Sequence, residues 1–137
     1  MAHFVHDIVV RYADTDAQGH VFFANYFTYF DEAMTGYLHA IDYPPARMAE
    51  EGMDFMYVDA HCSYRAGAVF EDRVSLGFGV TKLGNTSISA ALEARVDGVL
   101  IATGELVWVC VDAANRTKMT IPEDLRVAIQ RFEQVDL

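Results

Sequence analysis

The segment from about residue 25 to residue 41 limits the possible folds most, because it is a long helical pattern among segments that alternate like strands. Apolar residues recur in it at spacings of three and four, which is typical of an amphipathic helix. They are Phe27, Phe30, Met34, Tyr37, Leu38 and Ile41. Since this face is wide and aromatic, we expect a mostly buried helix, with Asn25 as its N-cap and Pro44-Pro45 as its stop.

Five other segments alternate with the two-residue period of a β-strand. They cover residues 4–12, 54–65, 72–83, 86–97 and about 99–112. The last one is apolar on both faces, which favours a place inside the sheet. Turn signals at Leu83-Gly84-Asn85 and Asp97-Gly98 predict hairpins between neighbouring strands. In the segment 54–65, the alternation assigns one face to Met56, Val58, Ala60, Cys62 and Tyr64.

The order of these elements indicates the fold class. A short helix is predicted over residues 45–51, and another begins near Pro122. Strands that follow one another without intervening helices are typical of an α+β protein rather than an α/β protein. We therefore predict one domain over residues 1–137, with a five-stranded sheet packed on the long helix.

Composition excludes several classes of protein. The chain has 137 residues and is 53% hydrophobic, which rules out a disordered protein. A formal net charge of −10 argues against binding to nucleic acid or to an anionic membrane. We recognise no signal peptide or membrane-spanning segment, so we expect a cytoplasmic protein. Cys62 and Cys110 are too few for a disulfide scaffold or a metal site and are expected to be buried free thiols.

Polar residues gather between the first strand and the long helix. The run contains Tyr12, Asp14, Asp16, Gly19 and His20. A carboxylate before a helix N-terminus is kept ionised by the helix dipole and free N–H groups, so it can act as a nucleophile or general base. The same N–H groups could stabilise an oxyanion, and the glycine permits a sharp turn. The spacing alone also fits a solvated turn.

The run from Tyr12 to Tyr26 resembles the signature of the 4-hydroxybenzoyl-CoA thioesterase family of hotdog-fold proteins. The pattern is Asp-x-Asp-x-x-Gly-x-Val, which begins here at Asp14, and the pair Asn25-Tyr26 begins four positions after its valine. The resemblance extends over the whole chain. It implies a hotdog fold, in which a five-stranded antiparallel sheet wraps around a long central helix, and the hydrolysis of an acyl-CoA to a free acid and coenzyme A.

The resemblance also implies roles by position. Asp16, the second acid, would attack the thioester carbonyl or activate a water molecule. A backbone N–H at or next to Phe23 would contact the oxyanion. Tyr12 matches an aromatic position close to the site, whereas Asp14 would buttress the loop. These groups suffice without a metal or a cofactor, because the thioester needs only modest activation.

Further residues of the run are candidates for contact with the substrate. Asn25 and Tyr26 match the pair that shapes the helix start, and Phe22 belongs to an aromatic stretch that could form an acyl pocket. His20 could touch the thioester or be a polar loop residue. Phe22 and Ala24 depart from the 4-hydroxybenzoyl branch, so the acyl group could be aromatic or a short-to-medium aliphatic chain.

Coenzyme A carries several phosphate charges, so a basic patch is expected despite the acidic composition. The candidates are Arg65, Lys82, Arg116 and Lys118, which fall near strand ends or in loops. The family places its site between subunits and pairs two domains edge to edge. The resemblance therefore implies a homodimer or homotetramer, in which some cations come from the partner chain.

Alternatives remain open at the level of sequence. A second hotdog lineage uses a carboxylate within the helix, so Asp31 and Glu32 are the reserve candidates for the nucleophile. The substrate could also be an acyl carrier protein instead of coenzyme A. A noncatalytic acyl-CoA-binding protein is the third reading, although binding alone would not require an ionised carboxylate at the thioester carbonyl.

Overall fold

The computed structural model describes residues 4–135 and residue 137. Its strands are β1 (Phe4–Val9), β2 (Met53–Tyr64), β3 (Arg73–Leu83), β4 (Ser87–Val96) and β5 (Val99–Asp112). Its helices are α1 (Asn25–Ala40), α2 (Pro45–Glu50) and α3 (Glu123–Glu133). These elements follow the order predicted from the alternation of apolar residues. None of the helices in this described part is both long and apolar enough to cross a lipid bilayer.

The strands form one antiparallel sheet in the order β1-β3-β4-β5-β2. The hairpins β3–β4 and β4–β5 confirm the turns predicted at Leu83-Gly84-Asn85 and at Asp97-Gly98. Strand β5 lies between β4 and β2, which explains why both of its faces are apolar. The architecture confirms the α+β class and the five-stranded sheet with a long helix.

Helix α1 lies against one face of the sheet through an aromatic and aliphatic surface. The buried side chains on it are Tyr26, Tyr29, Phe30, Ala33, Met34, Tyr37 and Leu38. Gly104 on β5 permits this approach, because a Cβ atom there would overlap the ring of Phe30. Phe27 was expected on the buried face but lies at its margin, with 36% of its surface exposed.

The prediction that Asn25 caps the helix is wrong. Ala24 is the N-cap and already has helical torsions, with φ −71° and ψ −20°. The chain is wound into a turn one residue earlier than expected, since the Asn25 N–H donates to the Phe22 carbonyl at 2.8 Å. The Asn25 side chain is thereby free to donate elsewhere, to the Asp14 carbonyl.

The first strand is shorter than predicted. It ends at Val9, and Tyr12–Asp14 form a single 3₁₀ turn. The cause is local: the Asp14 carboxylate accepts hydrogen bonds from the backbone and side chain of Arg11, which bends the chain away from the sheet. Tyr12 is consequently 78% exposed.

Strand β2 departs from the predicted alternation. Its pairing with β5 shifts between Tyr57 and Asp59, so a bulge reverses the side-chain parity along the strand. Met56 therefore lies on the opposite face from Ala60, Cys62 and Tyr64, and the single face predicted for 54–65 is wrong. Both cysteines are free thiols, but only Cys110 is fully buried and Cys62 is partly exposed.

Candidate active site

The segment from Asp14 to Phe22 forms a tight hairpin that ends at helix α1. The Asp16 N–H donates to the His20 carbonyl, and the Gly19 N–H donates to the Asp16 carbonyl, both at 2.9 Å. Gly19 adopts a φ of +82°, which favours glycine because it has no Cβ atom. The Asp16 Oδ1 atom accepts the Gln18 N–H at 2.9 Å. The half-buried Asp16 carboxylate therefore has a defined orientation at the tip of the hairpin.

Asp14 anchors this hairpin from inside the protein. Its side chain is 5% exposed and accepts hydrogen bonds from the Arg11 guanidinium and the Tyr29 hydroxyl, each at 2.9 Å. Burial by itself would raise the pKa of Asp14, but the hydrogen bonds from Arg11 and Tyr29 outweigh it and lower the pKa below its usual value. Asp14 is therefore a structural carboxylate, ionised and fully engaged.

The Asp14 carbonyl joins the hairpin to the helix. It accepts the Phe22 N–H at 2.9 Å and the Asn25 side-chain amide at 2.9 Å. Asp16 is two residues beyond this anchor and Phe23 follows Phe22 directly. The carboxylate and the start of α1 thus belong to one hydrogen-bonded unit.

The first amides of α1 face away from the helix body. The carbonyls of Phe22, Phe23 and Ala24 accept bonds from the N–H groups three residues later. The Phe23 and Ala24 N–H groups have no hydrogen-bond acceptor within the described residues. Free amides at the positive end of a helix dipole form a site that favours negative charge.

A pocket of about 270 Å³ opens beside these amides. Its walls are Gln18, His20, Val21, Phe23, Tyr26, Tyr64, Ala66 and Gly67. It brings together three of the predicted residues, namely His20, Phe23 and Tyr26. The His20 ring lies against Gly67, where a Cβ atom would come within 2.7 Å of the ring.

The other motif residues flank this pocket. The Phe22 ring contacts the Phe23 ring at a tilt of 56°, with centroids 4.9 Å apart, and the Asn25 side chain donates to the Asp14 carbonyl. Asp16 does not line the pocket wall but stands two residues before Gln18, which does. Tyr12 instead contacts Phe70 edge to face at 6.0 Å.

Tyr64 is the aromatic wall residue that the sequence did not single out as a site candidate. Its hydroxyl donates to the Phe23 carbonyl at 2.8 Å. The signal that could have found it is its position at the end of β2, one residue before Arg65. The alternation could not predict which face of the sheet Tyr64 lies on relative to the start of β2, because the bulge between Tyr57 and Asp59 reverses the parity.

The four candidate cations are not gathered in one place. The Arg65 N–H donates to the Ile101 carbonyl, whereas Lys118 bridges to Val111, ten residues further along β5 and about 30 Å away in an extended strand. Lys82 lies on β3 opposite Ser89. Arg116 is paired with Asp54 at 2.7 Å. Of these cations, Arg65 is the one next to the pocket wall.

The reserve carboxylates lie away from the helix start. Asp31 is six residues beyond Asn25, or about 9 Å along the helix axis, and accepts the Tyr57 hydroxyl at 2.8 Å. Glu32 lies 3.9 Å from the His6 imidazole. A larger recess of about 820 Å³ on the side of the sheet away from α1 contains none of the residues from 12 to 26.

The fold and the motif together define a hotdog-fold protein of the thioesterase class, and comparison with known proteins confirms this. A sequence model of the Thioesterase-like superfamily matches residues 10–129. The chain therefore belongs to this superfamily, and the resemblance read from the Asp-x-Asp-x-x-Gly motif is confirmed.

Several relatives carry named activities. The acyl-CoA thioester hydrolase YbgC of Escherichia coli O157:H7 is 25% identical over 126 residues, covering 91% of this chain and 92% of that protein. The 1,4-dihydroxy-2-naphthoyl-CoA hydrolase of Nostoc punctiforme is 27% identical, covering 89% and 83%. A putative esterase of Aquifex aeolicus is 33% identical over 69 residues, and that match spans about half of each protein.

Solved structures agree with this membership. The BH1999 gentisyl-coenzyme A thioesterase superposes with a TM-score of 0.85 and 28% identity, covering 92% of this chain and 99% of that one. A protein of Aquifex aeolicus with 23% identity superposes with a TM-score of 0.88 and shares the fold.

Proposed function

We propose that this protein is an acyl-CoA thioesterase in which Asp16 is the nucleophile or general base and the Phe23 N–H is the oxyanion contact. The observation that carries the proposal is the shared anchor of these two groups. The Asp14 carbonyl binds both Phe22 and Asn25, so the carboxylate and the free amides keep a fixed relation. Electrostatic catalysis depends on this kind of preorganisation.

The chemistry follows from the charges that develop. The free N–H at the start of α1 donates a hydrogen bond to the thioester oxygen as negative charge develops on it, and the helix dipole adds to this stabilisation. Asp16 either attacks the carbonyl carbon or removes a proton from the attacking water. The carbon–sulfur bond then breaks, the thiolate leaves and takes up a proton, and water supplies the oxygen of the free acid.

An aromatic wall supports an apolar or aromatic acyl group. The Tyr64 ring lies edge to face with Tyr26 at 5.3 Å and with Phe23 at 6.4 Å. Such rings bury a flat apolar group without requiring polar partners. The names of the relatives include gentisyl-CoA and 1,4-dihydroxy-2-naphthoyl-CoA, which are both aryl thioesters.

We also propose that two copies pair through β2. This strand is hydrogen-bonded to β5 on one side and lies at the edge of the sheet. Met56 and Val58 are exposed on it, at 40% and 56%. An unpaired edge with exposed apolar side chains favours pairing with a second strand.

Antiparallel pairing of β2 with its symmetry copy would bring opposite ends of the two strands together. The end of one β2 carries Arg65, and the start of the other lies near Arg116, which is bound to Asp54. A phosphate site with cations from both protomers would follow. This arrangement accounts for candidate cations that are far apart within one protomer.

A thiol-release assay over aliphatic and aromatic acyl-CoA esters tests the function. We expect turnover by the wild-type protein and a loss of at least about 100-fold in kcat for Asp16→Asn. Asp97→Asn is the matched control, since Asp97 lies in the β4–β5 turn, where its positive φ also suits asparagine. No release from any ester would contradict the proposal and direct attention to carrier-protein substrates or to binding without catalysis.

A further inference from the structure

We propose that Tyr64 is a positioning residue of this reaction, whose hydroxyl holds the peptide group between Phe23 and Ala24 in the orientation that the thioester oxygen requires. The inference rests on the proposed thioesterase function. It assigns to that function a residue that lies 38 positions beyond the last residue of the motif, Tyr26, on a different element of the fold.

The first argument is the hydrogen bond itself. The Tyr64 hydroxyl donates to the Phe23 carbonyl at 2.8 Å. The other donor to this carbonyl, the Tyr26 N–H, is 3.4 Å away, which is long for such a bond. By contrast, the preceding carbonyl, of Phe22, receives the Asn25 N–H at 2.8 Å. The first turn of α1 is thus weakly closed at Phe23, and the hydroxyl supplies the nearer donor.

The second argument concerns the geometry of a peptide group. Because a peptide is planar and trans, its C=O and N–H point in opposite directions. Holding the Phe23 carbonyl toward Tyr64 therefore fixes the direction of the Ala24 N–H. It also limits rotation about the backbone of Phe23, whose own N–H is the proposed oxyanion contact. A hydrogen bond to a peptide carbonyl further polarises the N–H on its other side.

The third argument is that this hydroxyl remains a donor. Partial burial and the neighbouring Cys62 thiol raise the pKa of Tyr64 to about 12, so its proton is present at neutral pH. The ring is held between Tyr26 and Phe23 in edge-to-face contacts. Its orientation is therefore set by packing as well as by the hydrogen bond.

The chain offers a matched control on the same strand. The Tyr57 hydroxyl donates to the Asp31 carboxylate of α1 at 2.8 Å. This bond has the same length and also runs from β2 toward α1, whereas the Tyr64 acceptor, Phe23, lies just before the Ala24 N-cap. Its acceptor is a side chain two turns into the helix rather than a carbonyl of the first turn. Removal of each hydroxyl in turn separates a role at the amides from a general role in holding β2 to the helix.

The kinetic experiment compares Tyr64→Phe with Tyr57→Phe on the best acyl-CoA ester. We expect Tyr64→Phe to lower kcat about tenfold and to leave KM within about twofold, since the ring that contacts the substrate is retained. Tyr57→Phe should change neither constant by more than about twofold. A pure loss of packing would not produce this split, and unfolding temperatures of the three proteins identify any loss of fold.

A second readout is independent of turnover. In ¹⁵N-labelled protein, Tyr64→Phe should shift the amide resonances of Phe23 and Ala24, and Tyr57→Phe should leave them in place. A wild-type kcat in Tyr64→Phe, or unmoved Phe23 and Ala24 amides, would overturn the inference while Asp16→Asn remains inactive. An absence of wild-type turnover on every ester would instead overturn the thioesterase proposal, and this inference with it.

Discussion

The hairpin from Asp14 to Phe22 and strand β2 both border the pocket, yet they are held in different ways. The hairpin is closed by contacts over short stretches of chain, such as the Asn25 side chain on the Asp14 carbonyl eleven residues away. Strand β2 reaches helix α1 through partners much further along the chain. Tyr57 and Asp31 are 26 residues apart, and Tyr64 and Phe23 are 41.

The two regions contribute different parts of the proposed site: the hairpin supplies the reacting groups, and β2 supplies part of the pocket wall. The hairpin carries the carboxylate and the free amides, and most of its hydrogen bonds join residues close in sequence, although the Val21 N–H donates to the Ala68 carbonyl at 2.9 Å. Strand β2 contributes the aromatic wall, and it does so from the edge of the sheet with one side unpaired. Changes in the hairpin should therefore affect both stability and turnover. Changes in β2 should affect assembly along its edge and, at Tyr64, turnover.

The largest effect is expected for Asp14→Ala. Removal of this buried carboxylate leaves the Tyr29 hydroxyl and the Arg11 N–H without their acceptor, which should cost about 3 kcal/mol in the free energy of unfolding. Chemical denaturation measures this loss, and kcat should fall in the fraction that remains folded. A change below about 1 kcal/mol would show that the hairpin does not depend on its anchor.

Val58→Lys should disrupt the role of β2 in assembly without changing the hairpin. A charged residue at this exposed edge position opposes strand pairing, so we expect a monomer at concentrations where the wild type is a dimer. Light scattering after size-exclusion chromatography gives the mass. Val5→Lys adds the same charge at an exposed position of β1, the opposite edge strand, and serves as the matched control. A monomeric wild type would contradict the proposed pairing.

Tyr29→Phe should produce a smaller, pH-dependent effect. It removes one hydrogen bond to Asp14 and should cost about 1 kcal/mol at neutral pH. The pKa of Asp14 is lowered in the folded protein, so the ionised carboxylate stabilises the fold at pH values above the ordinary aspartate pKa of about 4. This stabilisation is lost as the pH falls through the pKa of Asp14 in the folded protein. The variant should lose this stabilisation at a higher pH than the wild type, as acid unfolding monitored by circular dichroism would show.

The smallest effect is expected for Arg65→Gln. Arg65 is the candidate cation beside the pocket, so its loss should raise KM for acyl-CoA esters about fivefold and leave kcat nearly constant. Lys82→Gln, on β3 and further from the pocket, should change KM by less than about twofold. Equal effects of the two substitutions would place the phosphates elsewhere.

Short-range sequence patterns predict most of the secondary structure and the segment that adjoins the pocket. The two-residue alternation predicted five strands, four of them close to their observed bounds, and the turn signals Gly84-Asn85 and Asp97-Gly98 marked both hairpins of the β3–β4–β5 meander. The motif from Asp14 to Tyr26 identified the hairpin and the helix start that adjoin the pocket. These predictions succeed because turn chemistry, capping and amphipathic periodicity act over a few residues at a time.

Other features depend on contacts that neither the alternation nor the motif shows. The end of β1 at Val9 follows from the local hydrogen bonds between Asp14 and Arg11, and the N-cap lies at Ala24 because the Asn25 side chain donates to the Asp14 carbonyl. The bulge after Tyr57 has no mark in the alternation, yet it determines that Tyr64 points at Phe23.

The sequence by itself determined the class of fold and the family, and it placed the proposed catalytic carboxylate, Asp16, in the hairpin. Each is encoded in residues that are near one another along the chain. The tertiary structure decided which distant side chains complete the pocket and which cations lie beside it. That choice depends on strand register and on a single bulge, and a shift of one residue in either would turn Tyr64 to the other face of the sheet.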